Sequence, residues 1–402
     1  MNSANQPVLP DAPAKGLGAI VLAAGLSSRM VEFKPLLPLA GAMALERSIG
    51  VFRAARIAEV IAVLGHRADV LRPLAERSGA RSIVNEKFEQ GMYSSIAAGC
   101  RALPGWVEAA FVLPADMPLV RPATVRQLAE TWSLRRAGIL YPVFDGHRGH
   151  PPLISRSILD QVGRGEVEGP LNAVLALHEG DAENLQVADQ CIHLDMDTLA
   201  DYDTLASLAH RQQIPTAAEC EAILAARHVH QVVVRHARKV AEVAHRIASA
   251  LLRSGLSLDL ELVQAGALLH DIAKGESDHA GVGASILRDM EFPRVADIVA
   301  AHTDLDFSGS SLDEKALVYL ADKVVRGVDL VTINDRFQPA LDRFRNNPPA
   351  LRSVERRLET ARQVACAVES RLGTSLSAVV YKGAGSANPF PGPSIASGAM
   401  KI

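Results

Sequence analysis

The first half of the chain alternates short apolar runs with segments of helical periodicity. Helical patterns such as Ala44 to Ala55 and Arg121 to Arg136 separate runs rich in β-branched and other apolar residues: GAIVLAAG, EVIAVLG, RSIVNE, AAFVLPAD and GILYPVF. Apolar strands that alternate with helices are typical of βαβ units. The pattern therefore predicts a Rossmann-like α/β domain with a mostly parallel sheet over residues 17–210.

The pattern changes after Gln213, where strand-like runs almost disappear. Residues 211–219 include Pro215 and predict a linker, with Thr216 as a candidate helix N-cap. Beyond the linker, apolar residues recur at intervals of three and four, as expected of a long helix with one buried face: Val233, Ala237, Val240, Ala244, Ile247 and Leu251. We predict an all-α domain over residues 220–373.

The two ends of the chain lack such patterns. Residues 1–16 predict a flexible N-terminus. Residues 374–402 end in NPFPGPSIASGAMKI, which combines Pro, Gly and Ser with few apolar anchors. We predict that this tail is disordered, because it cannot bury enough apolar surface to offset the entropy of ordering.

Composition narrows the classes of function. The 402 residues are 48% hydrophobic and 22% charged with a formal net charge of −3, so a nucleic-acid partner is disfavoured. Neither an export signal nor a run of about 18 apolar residues is visible, which predicts a cytoplasmic protein without a membrane segment. The cysteines form no Cys-x-x-Cys pair, and we expect all of them to be buried apolar residues: Cys100, Cys191, Cys220 and Cys366.

The segment LAAGLSSRMVEFKPLLPL, directly after the first predicted strand, has the chemistry of a triphosphate site. Small residues let backbone N–H groups approach phosphates closely, and hydroxyl and cationic side chains add donors and positive charge. The candidate phosphate contacts are Leu22, Ala23, Ala24, Gly25, Ser27, Ser28, Arg29 and Lys34. The alternative is a tight strand-to-helix turn with surface cations.

Asp116 follows the predicted strand AAFVLP. Its carboxylate should emerge at the carboxyl edge of the sheet, where open α/β sheets bind ligands. An oxygen ligand there can hold Mg²⁺ against phosphates. An Asx turn before Pro118 is the structural alternative.

These residues resemble a known family. LAAG-x-S-x-RM followed by Lys and Pro is similar to the signature of molybdenum cofactor cytidylyltransferases and their guanylyltransferase relatives. The resemblance extends from Gly18 to Leu208 and includes the blocks EQGMYSSIAAG, LPADMPLV, RGHPPLIS and DMDTLADY. Val31 departs from the pattern, since family members usually have Gly there.

The resemblance implies transfer of a nucleotide from a nucleoside triphosphate to the phosphate of molybdopterin, with release of pyrophosphate. Arg29, Lys34 and Mg²⁺ at Asp116 would neutralise charge at the α-phosphorus. Asp195 or Asp197 would be the second metal-side carboxylate, although either could instead cap the helix near residue 199.

The family blocks also suggest further contacts. Asn85, Ser94 and Ser95 are candidate base or sugar contacts, and His150 a candidate pterin-side residue, although such groups also form turns. Ala24 and the ADMP block favour CTP over GTP. A sugar phosphate or phosphonate acceptor remains an alternative to molybdopterin.

A second constellation lies in the helical half of the chain: His236, His270, Asp271, His279, His302 and Asp322. An adjacent His-Asp pair can face one ion if distant helices complete the coordination. His245 should project to the opposite side of the helix from His236. His228 and His230 are alternatives that fit the downstream pattern less well.

The blocks LLHDIAKG, HAGVGASIL, AHTDL and YLADKVVRG resemble the HD superfamily of metal-dependent phosphohydrolases over Arg227 to Arg326. The resemblance implies core metal ligands at His236, His270, Asp271 and Asp322, and a second metal subsite at His279 and His302. Mixed histidine and carboxylate ligands suit one or two divalent transition ions, Fe or Mn, that activate water for attack on a phosphoester.

Two interpretations of the helical half stay open. Lys274 would meet a substrate phosphate in a hydrolase, or would simply be a cation at a helix C-terminus. Alternatively the HD domain is a regulatory sensor of a nucleotide or a metal, which controls the transferase or a molybdoenzyme or chaperone partner.

Overall fold

The computed structural model describes residues 14–26, 32–165, 169–309 and 311–381. The contacts divide the chain into two compact units, the first ending at Gln212 and the second beginning at Gln213. This division falls within the predicted linker, residues 211–219. Each unit is described by itself below.

The first unit is an α/β domain with one sheet of eight strands and a separate pair of two short strands. Its strands, including a separate pair formed by β2 and β3, are β1 (Ala14–Ala23), β2 (Pro38–Leu39), β3 (Ala42–Met43), β4 (Ile57–Leu64), β5 (Arg81–Val84), β6 (Ala109–Pro114), β7 (Ile139–Phe144), β8 (His147–Arg148), β9 (Leu153–Ser155) and β10 (Ala182–Gln186). The sheet order is β10-β7-β9-β6-β1-β4-β5, with β8 paired to β7. Among the described strands of this sheet, the pairs that involve β8 or β9 are antiparallel and the others are parallel, so the predicted mostly parallel sheet is confirmed.

Helices cover both faces of this sheet. They are α1 (Ala44–Ala54), α2 (Ala68–Arg77), α3 (Met92–Ala102), α4 (Pro122–Arg135), α5 (Arg156–Arg164), α6 (Leu171–Ala176) and α7 (Leu199–Ala209). Successive residues of β1 point to opposite faces: Val21 packs in one core cluster and Leu22 in the other. This two-sided burial explains why the central strands are continuous apolar runs rather than alternating ones.

The second unit is helical, as predicted. Its elements are α8 (Ala217–Ala226), α9 (Gln231–Arg253), α10 (Leu260–Leu269), α11 (His279–Asp289), α12 (Pro293–Ala301), α13 (Glu314–Lys323), α14 (Ile333–Arg343), α15 (Pro348–Leu372) and α16 (Leu376–Tyr381), with a hairpin of β11 (Val325–Arg326) and β12 (Asp329–Leu330) after α13. Thr216 caps α8, since its hydroxyl accepts a hydrogen bond from the Glu219 N–H. The buried stripe of α9 follows the predicted spacing, but begins at Val234 instead of Val233.

Three sequence predictions are corrected by the fold. The short helix α16 lies within the predicted tail, because Leu376 and Val380, one turn apart, are both buried. Cys366 is exposed on the outer side of α15, whereas the other cysteines are buried as expected. Residues 14–16 of the predicted flexible N-terminus belong to β1, where they extend the strand that begins at Ala14.

Within the described residues, no helix combines the length and the apolar character needed to cross a membrane. Residues 1–13 of the predicted flexible N-terminus, residues 1–16, and the part of the predicted tail beyond residue 381 lie outside the described ranges.

Candidate functional site

A cavity of about 400 Å³ opens in the first unit at the carboxyl ends of β1 and β6. It collects many residues that the sequence proposed for nucleotide binding: Leu22, Ala23, Ala24, Gly25, Lys34, Ser95, Asp116 and Asp197. The end of β1 and the turn after β6 are held together, because the Ala115 N–H donates to the Leu22 carbonyl at 2.9 Å. Strand ends of a parallel sheet therefore form the predicted ligand edge.

A buried lysine organises the charge in this cavity. Lys34 lies in a short 3-10 helix, Lys34–Leu36, and only 11% of its side chain is exposed. Its Nζ atom is 2.7 Å from Asp197 Oδ1 and 3.5 Å from Asp116 Oδ2. Residues distant in sequence thus converge on one ammonium group.

The carboxylates repel one another. Burial raises the pKa of Asp116, against the effect of Lys34, and Asp197 raises it further. Burial and the charges of Asp197 and Asp116 likewise raise the pKa of Asp195. Three neighbouring carboxyl groups offer hard oxygen atoms and repel one another, which fits a divalent cation such as Mg²⁺.

The structure distinguishes the two acidic candidates that the sequence left open. Asp197 lines the cavity and pairs with Lys34. Asp195 does not line the cavity, although the charges of Asp116 and Asp197 raise its pKa. Neither residue caps α7, because the N-cap is Thr198, whose hydroxyl accepts from the Asp201 N–H. The capping alternative is therefore wrong.

The predicted base or sugar contacts form a hydrogen-bonded loop. The Asn85 amide donates to the hydroxyls of Ser94 and Ser95 at 2.8 and 3.0 Å. The Ser94 hydroxyl is also bonded to the carbonyls of Lys87 and Gly91. Of these three described residues, only Ser95 lines the cavity. Asn85 and Ser94 lie behind the lining and are connected to it by the hydrogen bond from Asn85 to Ser95.

His150 lies away from the cavity lining, between β8 and β9. Its backbone N–H donates to the Ile192 carbonyl at 2.8 Å. Its Nδ1 atom is buried without a hydrogen-bond partner in the described part of the chain, and burial lowers the pKa of His150 to about 4. The ring is therefore neutral at physiological pH.

Some cavity residues were not anticipated, and some anticipated residues are not described. Glu89, Gly91 and Met92 line the cavity, although sequence reasoning named only the serines of the same EQGMYSSIAAG block. Gly91, with a φ of 99°, is the signal that could have found them, because it turns the chain into α3. Ser27, Ser28 and Arg29 lie outside the described residues.

The second unit brings all six predicted metal ligands into one cluster. They come from five helices: His236 from α9, His270 and Asp271 from the end of α10, His279 from the start of α11, His302 from the end of α12 and Asp322 from α13. Two overlapping triads have ligand atoms within 4.8 Å of one another, and Asp271 belongs to both. His236 Nε2 is 3.1 Å from Asp322 Oδ1, which adds the sixth residue.

Backbone carbonyls orient the imidazole rings. The Nδ1 atoms of His270 and His302 lie 2.7 and 2.6 Å from the carbonyls of Ala267 and Val299. The Nδ1 atom of His236 lies 2.9 Å from the carbonyl of Gly327, in the hairpin. Each ring therefore keeps Nε2 for the centre of the cluster, as metal-ligating histidines do.

The donor set fits a metal ion. His270 Nε2 is buried and has no hydrogen-bond partner among the described residues. It lies 3.5 Å from Asp271 Oδ2 and 3.8 Å from Asp322 Oδ1. A buried polar atom without a partner is costly, and an ion coordinated by these three groups would satisfy it.

Both carboxylates of the cluster are held in the ionised form. Burial alone would raise the pKa of Asp271 and of Asp322, but the neighbouring histidines and lysines outweigh it and hold both well below the usual range. Lys323 Nζ is 2.6 Å from Asp322 Oδ2 and donates to the His302 carbonyl at 3.0 Å. Lys274, about half exposed, is 3.0 Å from Asp271.

The alternative histidines take other roles. His230 is the N-cap of α9 and accepts from the Val232 N–H. Neither His245 nor the exposed His228 belongs to one of the two candidate metal-binding triads found among the described residues. Sequence reasoning missed Lys323 and Gly327, although both lie in the block YLADKVVRG.

These two sites define the class of the protein. A mostly parallel α/β unit with a Lys–Asp centre at its strand ends is the arrangement of a nucleotidyltransferase, and the histidine–aspartate cluster of the helical unit is that of an HD domain. Residues 19–187 match the model of the MobA-like NTP transferase domain, and residues 233–327 match the HD domain. The chain belongs to the MobA-like NTP transferase family and carries an HD domain after the transferase.

Known proteins resemble the first unit. The molybdenum cofactor cytidylyltransferase of Escherichia coli K12 is 33% identical over 191 residues, which are 47% of this chain and 94% of that protein. The bifunctional protein GlmU of Geobacter metallireducens is 31% identical over 116 residues, 28% of this chain and 24% of that protein. The crystal structure of Rv0371c from Mycobacterium tuberculosis H37Rv is similar with a TM-score of 0.43 and 28% identity, and covers 49% of this chain and 100% of that one.

Proposed function

We propose that the first unit transfers the cytidylyl group of CTP to the phosphate of molybdopterin and releases pyrophosphate. The observation that carries this proposal is Lys34 held between Asp116 and Asp197 in a cavity walled by the LAAG loop. The 33% identity to the Escherichia coli cytidylyltransferase supports the acceptor. Ala24 and the ADMP block support CTP as the donor.

In this reaction an oxygen of the acceptor phosphate bonds to the α-phosphorus of CTP while the bond to the β-phosphate oxygen breaks. Backbone N–H groups of residues 23–25 would bind the phosphates, and Lys34 would neutralise charge that develops at the α-phosphoryl group. Magnesium held by Asp116 and Asp197 would neutralise the phosphates further. Position and charge are sufficient, so no protein nucleophile is needed.

The test is pyrophosphate release by the full-length protein with Mg²⁺, molybdenum-loaded molybdopterin and each nucleoside triphosphate in turn. D116A is the loss variant, and D203A, at an exposed aspartate of α7, is the matched control. CTP-dependent release that D116A loses and D203A keeps supports the proposal. GTP dependence would shift the assignment to guanylyl transfer.

A sugar phosphate or phosphonate acceptor is the second candidate for this unit. The match of 116 residues to GlmU favours it. Release of pyrophosphate with a sugar phosphate or phosphonate, and none with molybdopterin, would establish this alternative.

For the second unit we propose hydrolysis of a phosphoester. The observation that carries this proposal is the buried His270 Nε2 atom, without a partner in the described chain, at the centre of six convergent ligands. One or two divalent transition ions, Fe or Mn, would supply Lewis-acid polarisation of the phosphoester. Lys274, half exposed beside Asp271, would bind a substrate phosphate oxygen.

Turnover of p-nitrophenyl phosphate and of nucleotides by the manganese- or iron-loaded full-length protein tests this assignment. D271A should lose both metal and turnover, whereas D289A, at an exposed aspartate of α11, should keep both. A wild-type protein that binds metal but hydrolyses none of these compounds, and whose pyrophosphate release changes with the metal, would instead support a regulatory sensor.

A further inference from the structure

One cationic side chain beside the metal cluster has no role in the proposals above. Arg336 lies in the first turns of α14, after the β11–β12 hairpin, and outside the HD match at residues 233–327. The same hairpin supplies the Gly327 carbonyl that orients His236. The hairpin thus borders the cluster, and Arg336, beyond the end of the domain match, follows it within ten residues of Gly327.

The start of α14 is fixed in place. Thr332 caps the helix and accepts from the Asp335 N–H. Arg326, in the hairpin, donates to the Asp335 carbonyl. Arg336 thus emerges from an anchored turn.

The guanidinium approaches the cluster without completing an ion pair. Arg336 Nη2 is 4.0 Å from Asp322 Oδ1, which is too long for a hydrogen bond. The Nε atom is buried and makes no hydrogen bond to any residue that the structure describes, while 35% of the side chain is exposed. At least one donor of the guanidinium, Nε–H, therefore lies inside the protein, although the side chain as a whole is only partly buried.

Asp322 does not need Arg336 as a counter-ion. Lys323 is 2.6 Å from its Oδ2 atom, and His236 is 3.1 Å from its Oδ1 atom. Both oxygens therefore have closer partners than Arg336. A planar guanidinium with spare donors beside a metal-type cluster matches the geometry of a phosphoryl group, which it can bind with two parallel hydrogen bonds.

We propose that Arg336 binds the non-bridging oxygens of the substrate's phosphate at the HD site and selects substrates with a terminal phosphomonoester group. A terminal phosphate offers more charge and more free oxygens to the guanidinium than a diester does. The proposal rests on the proposed hydrolase function for the meaning of the bound phosphate. Its test measures binding separately from turnover.

The test is calorimetric titration of the manganese-loaded full-length protein with inorganic phosphate. We expect R336A to bind phosphate about tenfold more weakly than wild type at equal manganese content. R336Q, which keeps a polar side chain, should be weakened similarly, and R336K should fall in between because it keeps the charge but loses the fork. R343A, at an exposed arginine of the same helix, should bind like wild type.

Equal phosphate affinity of R336A and wild type would overturn the proposal. So would loss of manganese in both R336A and R336Q, since Arg336 would then support the metal site itself. In the activity assay, R336A should raise KM for p-nitrophenyl phosphate more than it raises KM for its bis-ester. If wild type hydrolyses neither compound but binds phosphate through Arg336, the hydrolase function fails while this binding role stands.

Discussion

At the scale of single residues, Asp116 has a buried carboxyl group with a perturbed pKa. Burial raises its pKa above the ordinary value, so its ionised form at neutral pH is disfavoured in the fold. A raised carboxyl pKa contributes stability at low pH that is lost as the pH rises through the folded-state pKa. At pH 7 the ionised side chain therefore destabilises the unliganded protein.

We predict that D116N is more stable than wild type but inactive. The neutral amide removes the desolvation penalty, so the free energy of unfolding at pH 7 should rise without Mg²⁺. Pyrophosphate release should fall on the order of 10²-fold or more. Urea unfolding and the pyrophosphate assay check this, with D203N as the control. A less stable D116N would mean that the Lys34 ion pair outweighs burial.

His150 should give the fold an acid-sensitive step. Burial lowers its pKa to about 4, below the ordinary 6.5, so between these values it is protonated only when the chain unfolds. Stability should therefore fall as the pH drops through this window. Between pH 7 and pH 5, H150Q should lose less unfolding free energy than wild type, by on the order of 1 kcal/mol. H210Q, at an exposed histidine, should behave like wild type.

At the scale of elements, the buried ion pair between Arg121 and Asp189 anchors the segment that leads to Asp197. Asp189 accepts from the Arg121 backbone N–H and the Thr124 hydroxyl, both at 2.8 Å, and from the Cys191 N–H at 3.0 Å. The Arg121 side chain adds an ion pair at 3.2 Å. These bonds connect the start of α4 to the chain that continues to Asp197.

We predict that D189A destabilises the first unit by about 3–5 kcal/mol, because it removes a buried carboxylate that pairs with Arg121 and accepts several hydrogen bonds. Pyrophosphate release should fall as well, since the segment before Asp197 loses its anchor. Urea unfolding followed by both assays checks this prediction. E130A, at an exposed acid of α4, should change neither quantity. A stable D189A with normal release would show that Asp197 is positioned by Lys34 alone.

The elements also show where sequence patterns succeed. All five predicted strands formed. Four of them, β1, β4, β6 and β7, are largely buried apolar runs, as is typical of parallel strands covered on both faces. The fifth, β5, lies at the edge of the sheet and has no buried residue. The strands β2, β3, β8, β9 and β10 and the β11–β12 hairpin were not predicted. Except for β10, which has five residues, these strands have only two or three residues, too few to show a periodicity.

At the scale of the whole molecule, each site is assembled from residues of one unit. Lys34, Asp116 and Asp197 belong to the first unit, and the histidine–aspartate cluster belongs to the second. We therefore predict separable activities. D271A should abolish metal binding by the cluster while pyrophosphate release stays within about twofold of wild type. D116N should abolish pyrophosphate release and leave metal binding by the histidine–aspartate cluster unchanged.

The reciprocal assays on the two variants check this prediction in one experiment. A large change in pyrophosphate release in D271A would contradict it and would favour the sensor interpretation of the HD domain. D289A and D203A serve as the matched controls for the two units.

The sequence by itself determined the α/β and helical halves, the LAAG loop, Asp116 and all six residues of the histidine–aspartate cluster, because local periodicity and short motifs carry that information. Only the tertiary structure decided between Asp195 and Asp197 at the cavity wall, placed Asn85 and Ser94 behind it and brought Arg336 to the cluster. These outcomes depend on distances between residues far apart in the chain, such as the 163 positions between Lys34 and Asp197. Local patterns do not encode such distances, since packing of the whole unit sets them.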